Sequence, residues 1–171
     1  RAAASDCPVS IHANLKKFDS HPRTPDNLEV LRRWEEVRDQ NWLTEEQKLM
    51  LQNLEQEHIL LLDKQKKFEL LPYDQIMDVA NGSREIRAFI FERKNDLYVV
   101  YWHISDSKKI ELAMDPEKIT LLESLWQEMP IPSSDQNLSS VVLPVGKRRY
   151  IKTSSLTRDR IITAFRNAKI W

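Results

Sequence analysis

The sequence predicts an α+β chain: a small helical region with a β-hairpin, followed by an antiparallel β-sandwich closed by a C-terminal helix. Three observations carry this fold class. Apolar residues recur at helical spacing in two segments before residue 55. From Arg84 onward, short runs rich in Ile, Val, Phe and Tyr alternate with turn residues. The last long run, TRDRIITAFRNA, returns to helical spacing. We place a domain boundary near Ser83, giving a helical region with hairpin over 1–83 and a sandwich with its closing helix over 84–171.

Each element has a local reason. Residues 1–23 read as irregular. In TPDNLEVLRRWEEVRDQNW, Thr24 suits a helix cap, Pro25 the first helical position, and Asp26 the positive end of the helix dipole. Leu28, Leu31, Trp34 and Val37 fall on one face, which is expected to be buried. The next helix lies in TEEQKLMLQNLEQ, where Thr44 and Gln47 have capping-box spacing and Met50, Leu51 and Leu54 form the apolar stripe. HILLLD, KQKK and FELLPY read as strand, polar turn and strand. YDQIMDVANG predicts one or two helical turns ending at Asn81-Gly82.

In the second half, IRAFIFER and LYVVYWHI are strands, and SDSK turns the chain into KIELAM, whose Ile110, Leu112 and Met114 share the buried side. SSVVLPVG and RRYIKT are expected to pair with each other around Gly146-Lys147. The closing helix has Thr157 as cap, Asp159 in its first turn, and Ile161, Ile162, Phe165 and Ala168 on its inner face. DPEKITLLESLWQEMPI carries helix signals: a start at Asp115-Pro116 and Ile119, Leu122, Trp126 and Met129 at helical spacing.

Composition bounds the function. At 171 residues the chain holds one ordinary domain or two small ones, and 41% hydrophobic residues are enough for a sizeable core. Lys+Arg and Asp+Glu both number 26, so the basic excess typical of nucleic-acid binders is missing. A single cysteine, Cys7, rules out an intramolecular disulfide scaffold. No apolar run approaches the roughly 20 residues that span a bilayer, so no membrane partner is expected. With glycine only at 82 and 146, a glycine-rich phosphate loop is excluded, and no cofactor is expected. The opening RAAASDCPVS lacks Met and any signal-peptide core, which suggests a piece of a longer protein.

The candidate site is LYVVYWHI. On a strand, Leu97, Val99, Tyr101 and His103 share one face, and Tyr98, Val100, Trp102 and Ile104 share the other. Both faces are mostly apolar, so the strand is expected to be central, with its aromatics in the core. The functional alternative is that Trp102 and His103 reach an open rim and stack on a sugar ring. Arg148 and Arg149, in the basic run GKRRY, are the remaining candidate binding residues. Cys7, His12 and Asn14 invite a thiol-hydrolase reading, but closeness in sequence does not supply the geometry that chemistry needs. The histidines show no metal-ligand spacing, and no acid/base carboxylate pair stands out among the many Asp and Glu.

Two stretches, DLYVVYWHISDSKKIELAM and LPVGKRRYIKTSSLTRDRIITAFRNAKI, resemble the C-terminal β-sandwich that follows the catalytic barrel in many bacterial glycoside hydrolases. The likeness covers about residues 85–170. PVSIHANLKKFDSHPRTPDNLEVLRRWEEVR is in turn similar to the tail of such a barrel. The resemblance implies short strands rather than a helix within 118–131. It also implies a non-catalytic portion of a carbohydrate-active enzyme, partnered by an upstream catalytic domain of the same chain and in contact with carbohydrate. A second expectation comes from two helices followed by the hairpin His58 to Tyr73, an order shared with winged helix-turn-helix DNA-binding modules; the charge balance and the acidic residues Glu45, Glu46, Glu55 and Glu57 weigh against it.

Overall fold

The computed structural model describes residues 2–9, 11–132 and 139–171. They form two compact units, 1–72 and 73–171. The division between Pro72 and Tyr73 precedes the expected boundary at Ser83, because the intervening segment packs with the second unit: Ile76 and Val79 belong to its core.

The first unit carries three helices, α1 (Leu15–Ser20), α2 (Thr24–Asp39) and α3 (Glu45–Gln52), then a hairpin of β1 (Glu57–Leu62) and β2 (Phe68–Gln75), whose last residues run into the second unit. Thr24 is not the cap of α2. It is the first helical residue, and its hydroxyl donates to the Phe18 carbonyl at 2.6 Å while Arg23 holds the cap position. The inner face of α2 is narrower than its spacing suggests: Val37 is buried, Leu31 and Trp34 are half-buried and Leu28 is exposed. Trp34 packs on the small core of Ala3, Ala4, Leu43 and Leu51. The capping box of α3 forms in full, with the Thr44 hydroxyl accepting from the Gln47 amide and the Gln47 side chain accepting from the Thr44 amide. Only Leu51 of its stripe faces inward; Met50 and Leu54 are exposed. At the hairpin tip, Lys66 takes the left-handed conformation and Asp63 accepts from the amides of Lys66 and Lys67.

Along α2, Arg32 and Arg33 both hold Glu29, at 2.8 and 2.7 Å, and Arg32 also reaches Glu36. The hydrogen bond from Arg32, helped by that from Arg33, holds the Glu29 carboxyl down to about 2, against an ordinary 4.5. A depressed carboxyl stabilises the fold above its unfolded pKa and loses that contribution as the pH falls from about 4.5 towards 2. The pair is more than a third exposed, so screening limits the effect to on the order of 0.5 kcal/mol. Glu29→Gln is therefore expected to leave an acid titration of helical circular dichroism slightly shallower over that window and otherwise unchanged.

The second unit is a two-layer sandwich. In the larger sheet the end of β2 pairs with β3 (Ile86–Arg93), β3 with β4 (Asp96–His103), β4 with β9 (Arg149–Thr153), β9 with β6 (Thr120–Ser124), and β6 with β7 (Gln127–Met129), every pairing antiparallel. The smaller sheet has the order β10-β5-β8, with β5 at Lys108–Leu112, β8 at Val141–Val145 and β10 at Lys169–Ile170. Helix α5 (Arg158–Arg166) closes the core, and the Thr157 hydroxyl caps it by accepting from the Arg160 amide. The core lies between the layers. Ile86, Ala88, Ile90, Val99, Tyr101, Leu121 and Ile151 come from the larger sheet; Ile110, Leu112, Val141, Leu143 and Val145 from the smaller; Ile161, Ala164 and Phe165 from α5.

The structure resolves four local points, one of them as a correction. The segment 115–131, where local helix signals competed with the short strands favoured on the resemblance, forms a 3-10 turn at Pro116–Lys118 and then the strands β6 and β7, as favoured. SSVVLPVG and RRYIKT do not pair with each other: β8 pairs with β5 in one layer and β9 with β4 and β6 in the other. Gly146 makes that crossing. A Cβ there would lie 2.5 Å from Ser107 Oγ, and its carbonyl accepts from the His103 amide at 2.9 Å. The predicted turns before Asn81-Gly82 become the one-turn element α4 (Val79–Gly82), in and before which Asp78, Ala80 and Asn81 all have positive φ. The short strand β10, not foreseen, pairs with β5.

Candidate functional site

Strand β4 lies between β3 and β9, so it is interior, and its two faces have different fates. Val99 and Tyr101 enter the core between the layers. Tyr98, Val100 and Trp102 point to the opposite side of the sheet, where aromatic rings form two stacks. Phe91 lies 5.4 Å from Tyr98 at 12°, and Phe89 lies 5.3 Å from Trp102 at 22°. Tyr73 meets the Phe89 edge at 5.2 Å. Phe91, Tyr98 and Val100 are buried, whereas Trp102, Phe89 and Tyr73 keep partial exposure. Of the two candidates on β4, Trp102 therefore sits on the outer face, at the end of its strand, with partly accessible ring surface.

The four candidate binding residues separate into two pairs. Trp102 and Arg148 come together: the Arg148 guanidinium lies over the indole, 5.8 Å from its centroid, within cation–π range. His103 and Arg149 lie elsewhere. His103 is 1% exposed, which removes it from any rim. Its Nδ1 accepts from the amides of Asp106 at 2.8 Å and Ser105 at 3.3 Å, so the imidazole organises the turn into β5. That places the ring proton on Nε2, which faces Glu85 Oε2 at 3.5 Å, beyond a good hydrogen bond. Glu85 is held by Lys108 at 2.8 Å, a bond that keeps its carboxyl below the usual range. Arg149 alternates with Arg148 across the strand, and its guanidinium donates to the Pro144 carbonyl at 3.2 Å, which the Tyr101 hydroxyl also donates to at 3.3 Å.

One residue of the outer face was missed. Arg87 is the direct cross-strand partner of Trp102, and Arg148, the residue just before β9, reaches the indole through the cation–π contact. The face thus carries a row Arg87–Trp102–Arg148, formed by β3, β4 and the residue that leads into β9. Arg87 also lines a cleft of about 640 Å³, together with Gln75, Met77, Ser83 and Arg84 and the left-handed turn at Asp78–Gly82. Its guanidinium donates to the carbonyls of Arg84 and Ile86 at 3.0 and 3.3 Å.

The other sequence candidates carry structure. The Cys7 thiol is exposed and donates to the Ser5 carbonyl, and the Asn14 side chain caps α1 by accepting from the Lys17 amide. Among the described residues no group of three or more His, Cys, Asp or Glu is arranged to hold a metal ion, and no helix is long and apolar enough to cross a membrane. Comparison with protein-family models, curated proteins and solved structures finds no match for this chain.

Proposed function

We propose that this chain is the non-catalytic C-terminal portion of a carbohydrate-active enzyme of the glycoside-hydrolase type, bracing an upstream catalytic domain and contributing to sugar contact through Trp102. The observation that supports it is the second unit's two-layer antiparallel sandwich, which spans the residues that resemble such domains and bears a partly exposed aromatic row at one strand end. Rings in this setting offer an apolar face to sugar C–H groups. The winged-helix alternative has the element order of α2, α3 and the β1–β2 hairpin in its favour. It is the weaker reading, because Arg32, Arg33 and Arg38 of α2 are each engaged by acids, which leaves little free charge for phosphates.

Calorimetric titration of the chain with a panel of oligosaccharides tests the proposal. Trp102→Ala is expected to abolish sugar binding while lowering stability by only about 1–2 kcal/mol, the scale of one aromatic stack and one cation–π contact. Binding that survives Trp102→Ala, or no binding by any sugar, would reject the contact role. Hydrolysis of aryl-glycosides by this chain alone, lost on changing one Asp or Glu, would reject the non-catalytic role.

A further inference from the structure

We infer that the outer face of β3, β4 and β9 takes an acidic oligosaccharide, with Arg87 and Arg148 receiving its carboxylates on either side of Trp102. The inference rests on the carbohydrate reading above and specifies the sugar by charge. The row places two guanidinium-bearing side chains beside one indole, Arg87 on the neighbouring strand β3 and Arg148 in the residue that leads into β9. Neither arginine has a carboxylate partner among the described residues. The neighbouring acids are already engaged: Glu85 by Lys108, Glu123 by Lys147, Asp96 by Lys152 and Asp74 by Arg158. Two arginines without a carboxylate partner therefore stand beside one indole, while Glu128, the acid that the strand register puts on the same face, interacts with Lys152.

The geometry discriminates between neutral and acidic sugars. Phe89 is stacked on Trp102 and Arg148 lies over the ring, so a pyranose that stacks on the indole competes with Arg148 for it. Displacing Arg148 forfeits a cation–π contact, and the hydroxyls of a neutral sugar return only uncharged hydrogen-bond acceptors to the guanidinium. A uronate ring gives the same guanidinium a planar, bidentate partner, which is the geometry arginine serves better than lysine. Arg87 supplies the second anchor. It is the residue shared by the row and the adjoining cleft, where Gln75, Ser83 and Arg84 add donors for hydroxyls or a further carboxylate. The cleft's volume of about 640 Å³ is within the range that encloses small ligands.

The test is isothermal titration of the chain with oligogalacturonate and oligoglucuronate, with neutral cello-oligosaccharides of matched length, and with a single-stranded oligonucleotide as a phosphate polyanion. The uronates are expected to bind, more weakly as salt rises. Arg87→Gln and Arg148→Gln should each weaken them about tenfold, the scale of one charge-assisted hydrogen bond. Arg148→Lys should fall between wild type and Arg148→Gln, since it keeps the charge and loses the fork. Lys109→Gln, an equal charge change at an exposed position of β5, should leave binding unchanged. Thermal midpoints of all four variants confirm that each is folded. Neutral sugars binding as tightly as uronates, or uronate binding indifferent to both glutamine variants, would overturn the acidic-sugar inference and leave the carbohydrate reading standing. Absence of binding by every sugar would overturn both, and arginine-dependent binding of the oligonucleotide instead would reassign the face to nucleic acid.

Discussion

Tyr101→Ala is expected to lower the stability of the second unit by about 3–5 kcal/mol, the usual cost of emptying a large aromatic site in a packed core. That is a large share of the 5–15 kcal/mol typical of a domain. Tyr101 is fully buried on an interior strand. Its ring meets Phe165 of α5 edge-on at 5.9 Å, and its hydroxyl donates to the Pro144 carbonyl on β8, so one side chain ties both sheets and the closing helix together. Urea unfolding followed by tryptophan fluorescence measures the loss as a fall in midpoint at constant slope. Tyr101→Phe keeps the ring and removes only the hydrogen bond, so it should cost about 1 kcal/mol. The phenol supplies a second check. Burial pushes its pKa up, against a smaller downward pull from the Arg149 charge. A group whose folded pKa lies above the unfolded value near 10 contributes its full stability below that value and loses it as the pH rises further. Tyr101→Phe should therefore flatten the alkaline end of the stability profile above about pH 10. A Tyr101→Ala midpoint equal to wild type would mean that β4 does not pass through the core.

The sandwich was legible wherever local chemistry and non-local pairing agree. IRAFIFER and LYVVYWHI became β3 and β4 with their boundaries nearly intact, and the connecting Lys94 and Asn95 both take the positive φ of a type I′ hairpin turn. The closing helix was legible for the same reason: cap, first-turn acid and inner face coincide. Local signals failed where a distant partner decides. Ile119, Leu122, Trp126 and Met129 have helical spacing, yet Leu121 and Leu122 are buried by pairing with Ile151 and Tyr150 of β9, and no window around residue 120 contains that information. The supposed hairpin of β8 and β9 failed in the opposite direction. The two strands are neighbours in sequence, but Val141, Leu143 and Val145 fill the core from the smaller sheet while Ile151 fills it from the larger, so the chain crosses between layers at Gly146.

The candidate site shows the same division. Trp102 stood out because a large aromatic at a strand end is visible in one dimension. His103 was grouped with it by adjacency, although adjacent strand residues point to opposite faces. Arg149 was grouped with Arg148 for the same reason. Arg87 was passed over because it sits inside an apolar strand, where a lone cation reads as a solvated exception. The signal that identifies it is register: only the Arg87↔Trp102 pairing reveals that it flanks the indole.

His103→Ala is the second substitution with a large expected effect, about 2–4 kcal/mol of lost stability. Two terms contribute. The imidazole is buried, so its removal leaves a cavity. Its Nδ1 is the acceptor for the Asp106 and Ser105 amides, and backbone donors that lose their partner in a partly buried turn cost about 1–3 kcal/mol. The orphaned segment is the turn that carries β4 into β5, against which Gly146 also packs through Ser107, so loosening it disturbs both sheets at their shared corner. His103→Asn separates the two terms. An asparagine oxygen also accepts from amides two and three residues onward, as in Asx turns, while filling less space. It should therefore recover the hydrogen-bonding part and leave the cavity part, giving a midpoint between alanine and wild type. Uronate affinity measured on the same variants distinguishes a turn organiser from a binding residue. Folded His103→Asn should bind as wild type does, because the imidazole lies on the face opposite Trp102. An unchanged His103→Ala midpoint together with lost sugar binding would return the histidine to the rim and overturn the separation of the two faces of β4.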